Sequence, residues 1–507
     1  MNRRQFFKTS AKAAATGAAI SLPNTNLVAA GTRAPKTAGS AAGTPAVLAS
    51  YIAEDHRRRL QNIAIAEQGV RACLRKHLVT NYLPAQCAYT LGEYSCRKPW
   101  NPGGYDEREL DRLKDHGIQL IQLFDEWNDS LRLFGGDKFT ALDPAGFRRF
   151  IQMVHRRGMK VITYASPCFL QRTDPDFRPE WSREGDYLEL GYWNMARCSP
   201  ASPGWRAFLL PRILRILDAY ELDGIYLDGG YVQNYHNIRR PPARDEVAAF
   251  NETAEHDAAF SDLLALVYAE VKRRGGILKL HVDGADQPRT AGMKVYDYLW
   301  VGEGVNNADS MREAVRNYPP YVVPCIDMNY AKIGNSNDPY LHAIPYLQFP
   351  LLQAGRPFTG ERGMIPGVKY VSDQDWWMQR CRQAWQYYQS HPDGPYTYGS
   401  WDAVPERPET RPTHARWLRQ YQPLAEAGTW AYLEITDSNL FTQPLPANTV
   451  ASAFANREFY LVLANYGPQA AEIVTADAYV TMDDPGVPPA RQWNLPPRSM
   501  KILRRSA

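Results

Sequence analysis

The chain has 507 residues, of which 12% are aromatic and 22% charged, and its formal net charge is +4 at neutral pH. This length predicts one large domain and a smaller one. Four basic residues and no acidic one fall in the first twelve positions (Arg3, Arg4, Lys8 and Lys12), so the remaining chain is about neutral. A balanced charge argues against a nucleic-acid partner, which calls for a clustered basic surface.

The first thirty residues resemble a twin-arginine export signal. Arg3 and Arg4 precede two phenylalanines, an alanine-rich stretch covers residues 11–22, and residues 28–30 (VAA) suit a signal peptidase. A disordered basic N-terminus is the alternative. We expect a periplasmic or secreted mature protein that begins near Gly31, with residues 31–50 as a flexible linker. No later stretch reaches the ~18 consecutive apolar residues of a membrane span.

The seven cysteines are odd in number, irregularly spaced and without a C-x-x-C pair. This pattern disfavours a zinc or redox module, and we expect neither metal nor cofactor. One or two disulfides are compatible with export, but the spacing does not pair the cysteines.

Short apolar segments alternate with amphipathic helices up to about residue 390, after a region of helical spacing at 51–76. The apolar segments predict strands at 118–124, 160–164, 224–228, 277–282, 298–301 and 321–326, with two more near 87–91 and 357–360. Helices are predicted at 143–157, 205–220, 257–274 and 308–317, the first with Asp143 as its N-cap. Apolar strands joined by helices are typical of parallel sheets that are buried on both faces.

Eight strands within about 300 residues favour a closed (β/α)8 TIM barrel over an open, doubly wound sheet. The lack of a G-x-G-x-x-G turn after the first strand also disfavours a dinucleotide-binding sheet. Beyond Trp430, β-rich runs predict a small antiparallel β-sandwich, with strands at 430–436, 449–455, 458–465, 471–475 and 499–504. We assign residues 51–410 to the barrel with its N-terminal helical segment and residues 411–507 to the sandwich, with a helix around Trp417 between them.

Polar residues cluster where the predicted barrel strands end, and these ends form the mouth of a TIM barrel, where active sites lie. The acidic residues at these positions are Asp125, Glu126, Asp228, Asp283, Glu303, Asp327 and Glu361. They are accompanied by Trp127, Tyr164, Tyr226, His281, Trp300 and Asn329. Any single acid at such a position can instead cap a helix or pair with an arginine, but seven on one rim favour a site. Two carboxyls that reach one glycosidic bond are what glycoside hydrolysis requires.

Residues 223–228 (DGIYLD) resemble the fourth-strand motif of retaining α-glycosidases in the α-glucosidase/α-galactosidase clan. The resemblance implies that Asp228 is the catalytic nucleophile and that Asp223, at the strand entrance, is structural. It also implies an acid/base at the end of the sixth strand, where this chain has Glu303. The arginine that α-amylases carry two positions before the nucleophile is Tyr226 here, and the lysine of α-galactosidases is missing as well.

These residues predict an exported glycosidase that acts on a carbohydrate substrate. We expect Asp228 to attack the anomeric carbon and Glu303 to protonate the leaving oxygen and then activate water. Asp283 is the alternative acid and, with His281, a candidate for holding sugar hydroxyls; the remaining mouth residues are candidates for substrate binding. The sequence does not indicate the sugar, the linkage, retention or inversion, or the oligomeric state.

Two other functions stay open. One is a barrel that binds carbohydrate without cleaving it. The other is a metal-dependent hydrolase that uses His281, Asp283 and Asp327, although the chain has no H-x-H motif.

Overall fold

The computed structural model describes residues 52–92, 100–228, 252–282, 295–301, 337–365, 367–371, 376–394 and 408–506, together with residues 309, 312, 313, 316, 318, 322–324, 404 and 405. The predicted signal and linker lie outside these residues, as does most of the predicted helix at 308–317. Among the described residues, no helix is both long enough and apolar enough to cross a membrane.

The helices, in chain order, are α1 (Ala53–Gly69), α2 (Gly104–Asp115), α3 (Pro144–Arg156), α4 (Pro203–Tyr220), α5 (Glu252–Arg273), α6 (Asp338–Ala343), α7 (Trp376–Ser390) and α8 (Arg411–Tyr421). The strands up to residue 405 are β1 (Val70–Leu78), β2 (Gln86–Thr90), β3 (Leu120–Leu123), β4 (Lys160–Ala165), β5 (Phe169–Gln171), β6 (Ser182–Leu190), β7 (Trp193–Cys198), β8 (Gly224–Leu227), β9 (Ile277–Val282), β10 (Tyr298–Val301), β11 (Val322–Pro324), β12 (Leu352–Gly355) and β13 (Val404–Pro405). The C-terminal strands are β14 (Trp430–Ser438), β15 (Thr449–Ala455), β16 (Phe459–Asn465), β17 (Ala471–Thr481), β18 (Ala490–Leu495) and β19 (Ser499–Arg505).

Eight parallel strands form a (β/α)8 barrel, as predicted. Their hydrogen-bonded neighbours follow the order β11-β10-β9-β8-β4-β3-β2-β12. This is the cyclic order of a barrel, read from its seventh strand back to its first and on to its eighth. The pairing of β12 with β2 brings the last strand beside the first, and the short β13 pairs with the other edge of β12. The fourth and sixth barrel strands are therefore β8 and β10.

The predicted last strand, at residues 357–360, is wrong. The eighth barrel strand is β12, which ends at Gly355, several residues earlier. Gly355 has a φ of +98° and turns the chain away from the ladder, and Gly360 has a φ of +81° within the following loop. Gly355 is therefore the last residue of the barrel wall, and Gly360 lies beyond it.

The helical spacing at 51–76 does not predict the structure of its last seven residues, 70–76. Helix α1 ends at Gly69, where a Cβ atom would lie 2.5 Å from the Leu440 side chain, and the chain continues as β1. Strand β1 pairs antiparallel with β14, so that Val70 is opposite Ser438. This partner is more than 350 residues away, and local spacing alone gives no sign of it. Residues 53–78 therefore pack with the C-terminal sheet.

The six C-terminal strands and β1 form a seven-stranded antiparallel sheet in the order β1-β14-β15-β16-β19-β17-β18, which confirms the predicted β domain. Strand β18 has no counterpart among the strands that the sequence predicts. Strand β16 is buried along its whole length because its faces contact different cores. Leu461 and Leu463 pack in the core of the sheet with Trp493, whereas Tyr460 and Val462 join the large core that contains the barrel residues.

A small antiparallel insert lies between the third and fourth barrel strands. It consists of β5, β7 and β6, in that spatial order. Tyr192, Trp193 and Met195 of the insert pack with Ile365 and Met378 from the chain that follows the eighth strand. The insert therefore adjoins the carboxyl end of the barrel.

Candidate active site

Asp228 stands at the carboxyl end of the fourth barrel strand. Its backbone N–H donates to the carbonyl oxygen of Ala165 at 3.2 Å, which continues the pairing with β4 one residue beyond β8. Its Oδ1 atom lies 2.9 Å from Nδ1 of His281, on the neighbouring strand β9. The Asp228 side chain is 27% exposed, whereas His281 is almost fully buried. One carboxylate oxygen is thus held by the protein at a site that solvent reaches.

The His281 ring is held by aromatic residues inside the barrel. It stacks on Trp300 with ring centroids 5.0 Å apart and an interplanar angle of 22°. The centroid of the Tyr226 ring lies 5.4 Å from that of Trp300 and 6.2 Å from that of His281. The Phe124 ring contacts the rings of Tyr226 and Trp300. Tyr226 and Trp300 are both buried. The structure gives them a packing role beneath the mouth, and their direct contact with substrate stays a prediction.

Asp125 provides a second carboxyl close to Asp228. It begins a single turn of 3-10 helix directly beyond the second barrel strand. Burial raises its pKa to about 6, an effect that the Arg362 guanidinium opposes and that the negative charge of Asp228 reinforces. The structure therefore brings Asp125, Asp228 and His281 together, as their places at strand ends predicted.

Two buried cations lie near these carboxylates, and no pattern in the sequence predicts them. Burial lowers the pKa of Lys138 to about 8, an effect that the negative charges of Asp125 and Asp228 oppose, and its Nζ donates to the carbonyl oxygen of Phe169. Arg362 is 2% exposed and lies directly after the predicted site residue Glu361. Lys138 lies in an irregular loop, where no periodicity or motif singles it out. Of the charged residues at the mouth, the sequence predicts only the acidic ones, because they directly follow the predicted strands.

Trp127, Tyr164 and Glu361 are near the same rim in different environments. The Trp127 Nε1–H donates to the Tyr164 carbonyl oxygen at 2.9 Å, and its buried ring stacks on Phe147 at 5.1 Å. Tyr164 keeps part of its surface exposed, and Glu361 is half-buried at the start of the turn that carries Arg362. Trp127 therefore braces the third strand, and substrate contacts of all three residues stay predictions.

The remaining predicted site residues, Asp283, Glu303, Asp327 and Asn329, lie outside the described residues. The described part of the chain contains no group of three or more His, Cys, Asp or Glu arranged to hold a metal ion. The metal-dependent alternative relies on Asp283 and Asp327, so it too stays a prediction.

The first two residues of the DGIYLD motif serve the barrel wall. The Asp223 carboxylate accepts hydrogen bonds from the Val161 backbone N–H and from Nε2 of His155, both at 2.8 Å. A Cβ atom on Gly224 would lie 1.8 Å from the Ile277 carbonyl oxygen of the neighbouring strand. The structural role predicted for Asp223 is confirmed, and glycine is required beside it because the strands approach so closely.

Comparisons with known proteins support the fold. No family model and no curated protein matches the sequence. Among solved structures, the trehalulose synthase of Pseudomonas mesoacidophila is similar with a TM-score of 0.50 and 10% identity, over 84% of this chain and 100% of that chain. The α-amylase of Geobacillus thermoleovorans, solved in complex with acarbose, is similar with a TM-score of 0.50 and 12% identity, again over 84% of this chain and 100% of that one. At such low identity the similarity is one of fold, and this chain shares the fold of these two enzymes.

Proposed function

We propose that the protein is a glycosidase that cleaves O-glycosidic bonds of an oligo- or polysaccharide, with Asp228 as its nucleophile. The observation that carries the proposal is the position of Asp228 at the mouth of the barrel, with one oxygen held 2.9 Å from His281 Nδ1. The mouth of a TIM barrel is where catalytic groups lie in enzymes of this fold. The similarity in fold to a trehalulose synthase and an α-amylase adds support.

Asp228 and Glu303 divide the chemistry in this proposal. The hydrogen bond from His281 orients the Asp228 carboxylate and leaves its other oxygen to attack the anomeric carbon. Glu303 is two residues beyond the end of β10, the sixth strand, in the sequence, and it protonates the leaving oxygen before it activates water. Attack by Asp228 forms a glycosyl-enzyme ester, and water then releases the sugar with retained configuration.

Asp125 and the two buried cations set the charge around the nucleophile. With a pKa of about 6, Asp125 changes its charge in weakly acidic solution, beside the Asp228 carboxylate. Lys138 and Arg362 oppose the accumulation of negative charge at the mouth. We propose that Asp125 holds sugar hydroxyls, because a carboxyl can accept hydrogen bonds in either protonation state and donates one when neutral.

The direct test is a screen of purified protein against aryl α- and β-glycosides and a panel of polysaccharides. We expect turnover of an α-glycoside, because the solved α-amylase of the same fold was crystallised with acarbose. Asp228→Asn is expected to lose this activity, whereas Asp477→Asn, on the C-terminal sheet, serves as the matched control. Saturable binding of a sugar without turnover would instead favour the non-catalytic barrel. Activity that a chelator removes and a divalent metal restores would favour the metal-dependent hydrolase.

The site of action is also proposed. The paired arginines and the small residues at 28–30 support export by the twin-arginine route, and with it action on an extracytoplasmic carbohydrate.

A further inference from the structure

Cys168 and Cys198 face each other across two strands of the insert beside the site. Strands β5 and β7 pair antiparallel, with Phe169 opposite Arg197 and Leu170 opposite Ala196. The same register, continued by one residue, places Cys168 opposite Cys198. The Cys198 N–H donates to the Cys168 carbonyl oxygen at 2.7 Å, so the ladder extends to this pair. Residues directly opposite in an antiparallel ladder direct their side chains to the same face.

The spacing of such a pair suits a disulfide. Residues directly opposite each other in an antiparallel ladder have Cα atoms about 4.5–5.5 Å apart. Disulfides usually join Cα atoms that are about 4.4–6.8 Å apart. Both side chains are buried, with 1% exposure for Cys168 and none for Cys198, and both are free thiols in this structure. The other described cysteines, Cys73, Cys87 and Cys381, lie on β1, β2 and α7.

We propose that Cys168 and Cys198 form a disulfide when the protein is exposed to an oxidising thiol–disulfide environment. The bond would join the end of the third barrel strand to the segment that enters α4 and leads to Asp228. It would close the loop that contains the whole three-stranded insert. A closed loop of this size restricts the unfolded chain and so favours the folded state.

The oxidant in this proposal is a small-molecule disulfide such as oxidised glutathione. One cysteine thiolate attacks it, forms a mixed disulfide and releases one glutathione thiolate. The second cysteine then attacks the mixed disulfide, forms the Cys168–Cys198 bond and releases the second glutathione. The protein loses two hydrogens, and the glutathione disulfide is reduced to two thiols.

The location of the pair determines when the exchange takes place. Burial raises the pKa of the Cys168 thiol to about 12 and also raises that of Cys198, so few thiolates exist in the closed insert. Lys138 opposes this effect at both cysteines, and its amine contacts the carbonyl oxygen of Phe169, next to Cys168. We therefore expect exchange while the insert is open, during folding or under mild denaturant.

The test is a disulfide map of the full chain. The reduced protein is refolded in a mixture of oxidised and reduced glutathione. It is then denatured without reductant while iodoacetamide alkylates the free thiols, and it is digested for mass spectrometry. We expect Cys168 and Cys198 in one cross-linked peptide pair, 2 Da lighter than the two reduced peptides together. Alkylation of both cysteines, or a cross-link of either one to a different cysteine, would overturn the proposal. This measurement requires no variant to fold.

A second measurement addresses stability. Dithiothreitol is expected to lower the melting temperature of the oxidised wild-type protein. The double variant Cys168→Ala/Cys198→Ala should not show this decrease, whereas Cys73→Ala, on β1, should keep it. An equal decrease in the double variant and the wild type would assign the effect of reduction to another pair and contradict the proposed link.

Discussion

The imidazole of His281 and the carboxylate of Asp228 form a pair that joins two neighbouring barrel strands, with Nδ1 and Oδ1 2.9 Å apart. Trp300 stacks on the imidazole from the next strand, so the ring is restrained on one face as well as at one nitrogen. Oxygen acceptors at this distance receive a hydrogen bond from Nδ1–H, which selects the tautomer or the charged form of the ring. The orientation of the proposed nucleophile is therefore set by His281.

Replacement of His281 tests this orientation. His281→Phe keeps a ring against Trp300 but removes the hydrogen bond to Asp228. We expect kcat to fall by about 100-fold, because a misplaced catalytic group costs about this much, with little change in melting temperature. His391→Phe, at the end of α7, is the matched control. An unchanged kcat in a folded His281→Phe protein would show that Asp228 needs no such support.

The proposed pair of carboxyls predicts two different defects. Asp228→Asn should be inactive on every substrate, because no leaving group compensates for the missing attack. Glu303→Gln should keep the first step on an activated aryl glycoside, whose leaving group needs little protonation, and azide should rescue its second step. A structure with substrate should place the two carboxyls about 5–5.5 Å apart if the enzyme is retaining. Full activity of Glu303→Gln on an unactivated sugar would move the acid role to Asp283.

The raised pKa of Asp125 predicts a pH-dependent contribution to stability. An unfolded aspartate has a pKa near 3.9, and the folded value is about 6, so the native state binds the proton more tightly. The contribution of Asp125 to stability is thus complete below about pH 4 and is lost as the pH rises through 6. Asp125→Asn should gain stability relative to wild type between pH 4 and pH 7, on the order of 1–2 kcal/mol after allowance for its partial exposure.

Urea unfolding at pH 4 and pH 7 measures this difference. Asp484→Asn, at an exposed turn of the C-terminal sheet, is the control. Its difference from wild type in the free energy of unfolding should be the same at the two pH values. If the difference in the free energy of unfolding between Asp125→Asn and wild type were the same at both pH values, the raised pKa of Asp125 would be contradicted.

Gly224 should tolerate no side chain. Gly224→Ala would force a Cβ atom to within 1.8 Å of the Ile277 carbonyl oxygen, a backbone atom of the neighbouring strand that has little freedom to move. We expect a loss of about 3 kcal/mol or more in the free energy of unfolding, or failure to fold. Gly103→Ala, where a Cβ atom would meet nothing within 4 Å, is the control and should change stability little. A Gly224→Ala protein as stable as the control would mean that β8 and β9 are farther apart than in this structure.

Export by the twin-arginine route predicts a simple outcome. Replacing Arg3 and Arg4 by lysine should retain the protein in the cytoplasm, because the pathway's receptor reads the arginine pair. Cell fractionation and N-terminal sequencing of the wild type, with a mature end expected near Gly31, provide the measurement. Secretion that continues undiminished in the double-lysine variant would rule out this route.

The local sequence was sufficient for the elements whose pattern is itself local. Short apolar runs predicted strands β3, β4, β8, β9 and β10, because a strand buried on both faces needs apolar residues at consecutive positions. The acids that follow these runs pointed to the barrel mouth, because parallel strands end on the same side. The positions of Asp125 and Asp228 at the barrel mouth were therefore predictable without knowledge of their contacts. The antiparallel C-terminal strands other than β18 were predicted from the same kind of local pattern.

Only the tertiary structure decided which partners these elements and side chains meet. Strand β1 has helical spacing and becomes a strand because β14 offers it a free edge. Tyr226 and Trp300 have the sequence pattern of mouth residues, but their rings point into the barrel and pack around His281. Loops at the carboxyl end of the barrel determine where the cations Lys138 and Arg362 lie. The insert there also brings Cys168 opposite Cys198. A residue's own neighbours in the chain set its local preference for helix or strand, whereas its final strand pairing, its charge environment and its burial also depend on segments that are distant in the sequence.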